Sequence, residues 1–335
     1  MLVLGVETSC DECAAAVVED GRRILSNVIN SQIEIHGKYG GVVPELSSRR
    51  HVETILPIIT EALDHAGKSL DDIDGICATY GPGLIGSLLV GLNAAKALAY
   101  SRGIPFRGVN HIEGHALAAF LEHPDLDFPY VTLVVSGGHT CLYVVKDFGD
   151  YRRLGETRDD AAGEAFDKVA RLLDLGYPGG VVIDRLAREG DARSVDFPRP
   201  LLKKGSSDFS FSGLKTAVYY HIRNLGDDLV EAERNNIVAS FQEAVVDVLV
   251  AKSLGAAEKN GVKRVVAAGG VAANSRLRDR LVEEGRSKGI EVFVPPPVLC
   301  TDNAAMIACV GHHYLAKGET SPLSLNAVAN LRLGD

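Results

Sequence analysis

A chain of 335 residues with 46% apolar and 24% charged residues is long enough for two ordinary domains and is composed to bury a core in each. Its net charge of −9 argues against a broad nucleic-acid-binding face on this chain alone, because phosphate binding draws on clustered Lys and Arg. The six cysteines are scattered, no secretory signal opens the sequence, and the long apolar run GSLLVGLNAAKALAY carries Asn93 and Lys96, so a reduced, cytoplasmic protein without a membrane span is expected.

Three strand-like runs open the chain, LVLGVET, CAAAVVED and RILSNVI, separated by SCDE and DGR turns. They predict an antiparallel meander. A helical run HVETILPIITEALDHAG follows, then strand GICATY, helix SLLVGLNAAKALAYSRG, strand PFRGVN and helix HIEGHALAAFLEH. After HPDLDFP the pattern restarts with YVTLVVSGGHTCLYVVKDFGDYRRLGE, then a helix, a polar insert over about 178–230, a long helix and two further strands separated by a helix. Two βββαβαβα halves predict an α/β protein of duplicated actin-like architecture with a cleft between its domains. The expected domains are 1–127, 128–301 and a closing segment, 302–335, that crosses back to the first.

Within HIEGH, His111 and His115 are four residues apart. On a helix they point the same way and can grip one divalent metal, although a pair of satisfied histidines is the plainer reading of an arbitrary HxxxH. Zinc peptidases place glutamate directly after the first histidine. Here Glu113 is two residues on, about 200° around the helix, so a peptidase would lack its general base. Asp302, before the last helix, is a candidate third ligand, although an N-cap role is equally natural for it.

The small-residue turn after VV in VVSGGHT offers main-chain N–H groups of Ser136, Gly137 and Gly138 to a phosphate or carboxylate. A strand, a Gly-Gly pair and a helix start near Asn274 suit packing of a flat adenine ring. Asp167 and Asp184 are acids of the kind that bind ribose hydroxyls, and YPGG supplies Gly179 and Gly180. Basic runs at 47–51, 199–205 and 275–280 are each read as solvated faces. The CDEC pair, Cys10 and Cys13, has no second pair with which to form a zinc ribbon.

GVETSCDE, YGGVVPELSSRRH, GPGLIGSLLVG, HIEGH, LVVSGGHT, DDAAGEAFDK, YPGG, FSFSGLKTA, GGVAAN and CTDNAAMIA, in this order, resemble the motifs of the bacterial TsaD family, the catalytic subunit of tRNA adenosine threonylcarbamoyltransferase. The sequence departs from the family pattern at Cys13, where many relatives carry threonine. The resemblance implies an actin-like (ASKHA) ATPase fold and transfer of a threonylcarbamoyl group from threonylcarbamoyl-AMP to N6 of adenosine 37 in tRNAs reading ANN codons. It implies a metal, Fe2+ or alternatively Zn2+, on His111, His115 and Asp302. An adenylate substrate would be held by Val134, Val135, Ser136, Gly137, Gly138, Asp167, Gly180, Asp184 and Asn274. The implied partners are the anticodon loop of tRNA, a TsaB-like paralogue and a TsaE-like ATPase, with threonylcarbamoyl-AMP made by a separate synthase. No residue is required as a covalent nucleophile. An O-carbamoyltransferase acting on a small hydroxyl substrate is the nearest alternative, and a kinase using Glu7, Asp11 and Glu12 to hold Mg2+ gives no reason for the histidine pair.

Overall fold

The computed structural model describes residues 1–202 and 205–334. Two units make up the chain, Met1–Leu126 with Thr301–Asp335, and Asp127–Cys300. In the first, β1 (Leu2–Glu7), β2 (Glu12–Glu19) and β3 (Arg23–Ser31) form an antiparallel meander. Strands β4 (Gly75–Gly81) and β5 (Phe106–Asn110) extend it in parallel beside β1, giving the order β3-β2-β1-β4-β5.

The continuous apolar run of β1 reflects cover on both faces. Leu4 and Val6 share a core with Ile55, Ile59 and Leu92 of the helices Pro44–Ala66 and Ile85–Arg102. Gly5 faces the closing helix, Ala304–Ala316, so closely that a Cβ would lie 2.3 Å from the Ala304 carbonyl oxygen. The first of those helices begins with Pro44 in its first turn, where the missing N–H costs nothing, and ends at Gly67 with φ 62°.

The second unit repeats the plan. Strands β6 (Tyr130–Val135), β7 (Thr140–Asp147) and β8 (Asp150–Glu156) form the meander, and β9 (Arg264–Ala268) and β10 (Glu291–Phe293) run parallel to β6, in the order β10-β9-β6-β7-β8. Val131, Leu133 and Val135 pack with Phe166 and Phe241 in its core. Between β8 and β9 the chain forms the helices Ala162–Leu172, Gly179–Ala187, Ser212–Leu225 and Asp227–Lys259. The duplicated α/β plan expected from element order is therefore present, each half having the same strand order. Among the described residues, no helix is long and apolar enough to cross a membrane.

Candidate metal and adenylate sites

The histidine pair is set by the end of β5. Asn110 caps the helix His111–Leu117, its side chain accepting from the amides of Ile112 at 2.8 Å and Glu113 at 3.4 Å. His111 and His115 then share a helix face, with ring centroids 4.7 Å apart. The helix is shorter than the expected run to His123, turning 3-10 over Ala118–Leu121, and Pro124 ends the helical path.

The glycine of HIEGH has a packing role. A Cβ on Gly114 would lie 2.9 Å from Ile307 Cδ1 and 3.1 Å from Met306 Cγ, so the closing helix approaches where a side chain would stand. That approach brings in Asp302. Its Oδ1 lies 3.1 Å from His115 Nε2 and 3.5 Å from His111 Nε2. The cap of the closing helix is the next residue, Asn303, whose side chain accepts from the Met306 amide at 3.0 Å. The N-cap role weighed for Asp302 is therefore filled by its neighbour, and the aspartate faces the histidines.

Donor atoms of His111, His115 and Asp302 all lie within 4.8 Å of one another, with both imidazoles buried. Two imidazole nitrogens and one carboxylate form a donor set for a borderline transition metal, not for Ca2+ or Mg2+. His115 Nδ1 is buried without a hydrogen-bond partner among the described residues, and burial lowers the pKa of this histidine, which favours the neutral ligand form. Burial opposes charge on His111 as well, but the carboxylates of Asp302 and Glu7 outweigh it and push the metal-free group up to about 9. The cluster fits a divalent metal, whose binding would displace that proton.

Sequence reasoning missed Glu7 as part of this cluster. Fully buried at the end of β1, its Oε2 lies 3.0 Å from His111 Nδ1 and accepts from the Thr79 hydroxyl at 2.6 Å, and its Oε1 accepts from the Ser9 amide at 2.5 Å. Burial raises its pKa, and the charge and hydrogen bond of His111 more than offset this, so the carboxylate is held below its ordinary range. Both oxygens are engaged, so the Mg2+ role considered for this acid in a kinase is not available. Its only sequence signal is a charged residue ending an otherwise apolar strand. Glu113, displaced from the metalloprotease position, accepts a hydrogen bond from Tyr314 Oη of the closing helix at 2.5 Å.

In the second unit, the residues expected to hold an adenylate lie along a closed ring of contacts. The turn after β6 leaves Gly137 and Gly138 exposed, and among the described residues their amides donate to no carbonyl of the turn or sheet. Gly163, in the next helix, packs on this turn so tightly that a Cβ would lie 2.6 Å from the Ser136 carbonyl oxygen. Asp167 on the same helix accepts from the Gly179 amide at 2.8 Å, and Gly180 beside it has open space at its Cα. Asp184 accepts from Ser275 Oγ at 2.9 Å. The adjoining Asn274 caps the helix Ser275–Ser287 and donates to Gln242 at 2.7 Å. Gly269, with φ 93°, returns to the start, where a Cβ would lie 2.3 Å from the Val135 carbonyl oxygen. Val134 and Val135 are fully buried in β6 and carry the turn without presenting side chains.

The run at 275–280 is not a free basic face. Arg276 makes two bonds to Glu243, at 2.7 and 2.9 Å, and Arg280 pairs with Glu243, Asp247 and Glu284. The alternation of Arg with a helix period turned these cations toward acids of the helix Asp227–Lys259, which sequence spacing alone does not reveal. In the run at 47–51, Ser47 and His51 are buried and hold the Cys10 carbonyl, and Arg50 pairs with Glu53 at 2.8 Å. Lys203 and Lys204 of the run at 199–205 lie outside the described residues. All six cysteines are free, and burial pushes the Cys10 thiol up and Cys13 up to about 11, so neither is poised as a thiolate.

Solved structures share the whole fold. A full-length HypF structure in phosphate- and nucleotide-bound form superposes with TM-score 0.64 at 15% identity, covering 96% of this chain and 47% of that one. The (R)-2-hydroxyglutaryl-CoA dehydratase component A of Acidaminococcus fermentans does so with TM-score 0.58 at 18% identity, covering 94% and 99%. The duplicated sheets define a member of the actin-like ATPase fold class.

Sequence comparison resolves the family. The family model described as "TsaD: tRNA N6-adenosine threonylcarbamoyltransferase" matches residues 23–309. A relative bearing that enzyme name from Syntrophus aciditrophicus (strain SB) is 59% identical over 98% of this chain and 97% of its own length. Another from Clostridium perfringens (strain 13 / Type A) is 54% identical over 100% and 98%. The chain belongs to the TsaD family of tRNA N6-adenosine threonylcarbamoyltransferases and is an enzyme of the transferase class.

Proposed function

We propose that this chain transfers the threonylcarbamoyl group of threonylcarbamoyl-AMP to N6 of adenosine 37 in tRNAs reading ANN codons, releasing AMP. The observation that carries this reading is the convergence of His111, His115 and Asp302 in a chain of this family. Those residues would hold one divalent metal, Fe2+ or alternatively Zn2+. When bound, the metal supplies Lewis-acid polarisation of the threonylcarbamoyl group.

The remaining roles belong to the chain. The unengaged amides of Gly137 and Gly138 donate to the phosphate, whose charge grows as AMP departs. Asp167 and Asp184 offer carboxylate oxygens to the ribose, and Gly180 and Asn274 border the nucleoside. The N6 nitrogen attacks the carbamoyl carbon, the bond to the phosphate oxygen breaks, and N6 loses a proton. Positioning and electrostatics carry the rate, without a covalent enzyme intermediate.

The chain works in the cytoplasm with a TsaB-like paralogue and a TsaE-like ATPase. Its own acidic charge is consistent with a tRNA surface shared between subunits. The test is reconstitution from the purified chain, both partners, threonylcarbamoyl-AMP and an ANN-decoding tRNA, with nucleosides read by mass spectrometry. Threonylcarbamoyladenosine at position 37 is expected; unmodified tRNA in the presence of verified substrate and partners contradicts the reading.

A further inference from the structure

Glu7 meets three hydrogen-bonding groups with two oxygens: the Ser9 amide at 2.5 Å, the Thr79 hydroxyl at 2.6 Å and His111 Nδ1 at 3.0 Å. An ionised carboxylate only accepts. His111 must therefore donate from Nδ1, so in the neutral ring it is Nε2, the nitrogen 3.5 Å from Asp302 Oδ1, that carries the lone pair toward the ligand cluster. Ser9 Oγ, 3.1 Å from the same Nδ1, stands as a further acceptor. No comparable partner orients His115, whose Nδ1 is without one among the described residues.

From this geometry we propose that Glu7 is the positioning residue of the metal site, fixing His111 in the tautomer that binds metal through Nε2. Glu7 acts through His111 and does not touch substrate. The inference rests on the reading of His111, His115 and Asp302 as metal ligands.

An isosteric change exposes the dependence. In Glu7→Gln the Ser9 amide can only donate, so the carboxamide oxygen must face it and the NH2 group falls beside Thr79 and His111. The Thr79 hydroxyl can turn to accept. His111 Nδ1 then faces a donor where the carboxylate stood and keeps only the neutral Ser9 hydroxyl as an acceptor, which shifts its hydrogen toward Nε2, where the metal should sit.

The measurement is Zn2+ affinity of the full chain by competition with a chromophoric chelator, with thermal unfolding of the metal-free proteins as a check on folding. Glu7→Gln is expected to bind Zn2+ about 10–100-fold more weakly than wild type, the range for loss of a partner behind a metal ligand. Affinity within about twofold of wild type overturns the role of Glu7 alone, because an outer partner that mattered would exceed that. Wild type that fails to bind Zn2+ overturns the ligand reading itself. Should Glu7→Gln not fold, wild type loaded with Zn2+ and labelled with 15N in its histidine rings decides the matter. A hydrogen on His111 Nδ1 with metal on Nε2 is expected, and metal on Nδ1 overturns the proposal.

Discussion

Asp302 and His115 are 187 positions apart in sequence, yet Asp302 Oδ1 stands 3.1 Å from His115 Nε2. The pairing depends on the closing helix lying against the helix His111–Leu117 at Gly114. Asp302→Ala removes the anionic ligand while leaving the Asn303 cap in place. Zn2+ affinity measured by chelator competition is expected to fall by more than the roughly 10–100-fold typical of an outer-shell change, with unfolding temperature of the metal-free protein little altered.

Gly5→Ala tests the same helix contact from the sheet side. Its Cβ would lie 2.3 Å from the Ala304 carbonyl oxygen and 2.9 Å from the Ala308 amide nitrogen, which are backbone atoms that cannot swing aside. Overpacking of this kind costs about 1–3 kcal/mol. Urea unfolding should show that loss, together with weakened Zn2+ binding because Asp302 begins the displaced segment.

How much of this was legible in the sequence differs by element. The duplicated sheets were legible because strand runs and their order repeat, and the histidine pair because a four-residue spacing is local. Asp302 was found by its place before a helix, but its freedom from capping depended on Asn303 taking the Met306 amide. Glu7 was not legible as a partner of His111, since 104 positions separate them and only the folding of β1 beside β4, and of β4 beside β5, joins them. The cations at 276 and 280 read as a surface run because two of their acidic partners, Glu243 and Asp247, lie on another helix.

Gly163→Ala tests the adenylate ring. Its Cβ would lie 2.6 Å from the Ser136 carbonyl oxygen and 2.8 Å from both Cα and N of Gly137. The turn must shift, and with it the amides proposed to hold phosphate. Calorimetric titration with AMP is expected to show at least about tenfold weaker binding, the equivalent of one charge-assisted hydrogen bond. Wild-type affinity in this variant would dissociate the turn from nucleotide binding.

The ion-pair cluster at Glu243 predicts an acid-dependent stability. The Arg276 guanidinium beside Glu243, with Arg280 assisting, holds its carboxyl below the ordinary value of 4.5. The unfolded chain therefore binds this proton more readily than the folded one. The stabilisation is fully present above about pH 4.5 and is lost as pH falls through the lower folded value. Urea titrations should show wild type more stable than Glu243→Gln at pH 7, with the difference shrinking below pH 4.5. A pH-independent difference would assign the effect to packing.

The most direct test of the account compares wild type with His115→Ala in the reconstituted transfer reaction, using threonylcarbamoyl-AMP labelled in its threonine and an ANN-decoding tRNA. Metal content and adenylate binding are measured on the same samples. The account predicts label on adenosine 37 with wild type, and loss of both label and metal in His115→Ala while adenylate binding persists. Undiminished transfer by a metal-depleted His115→Ala protein would contradict it.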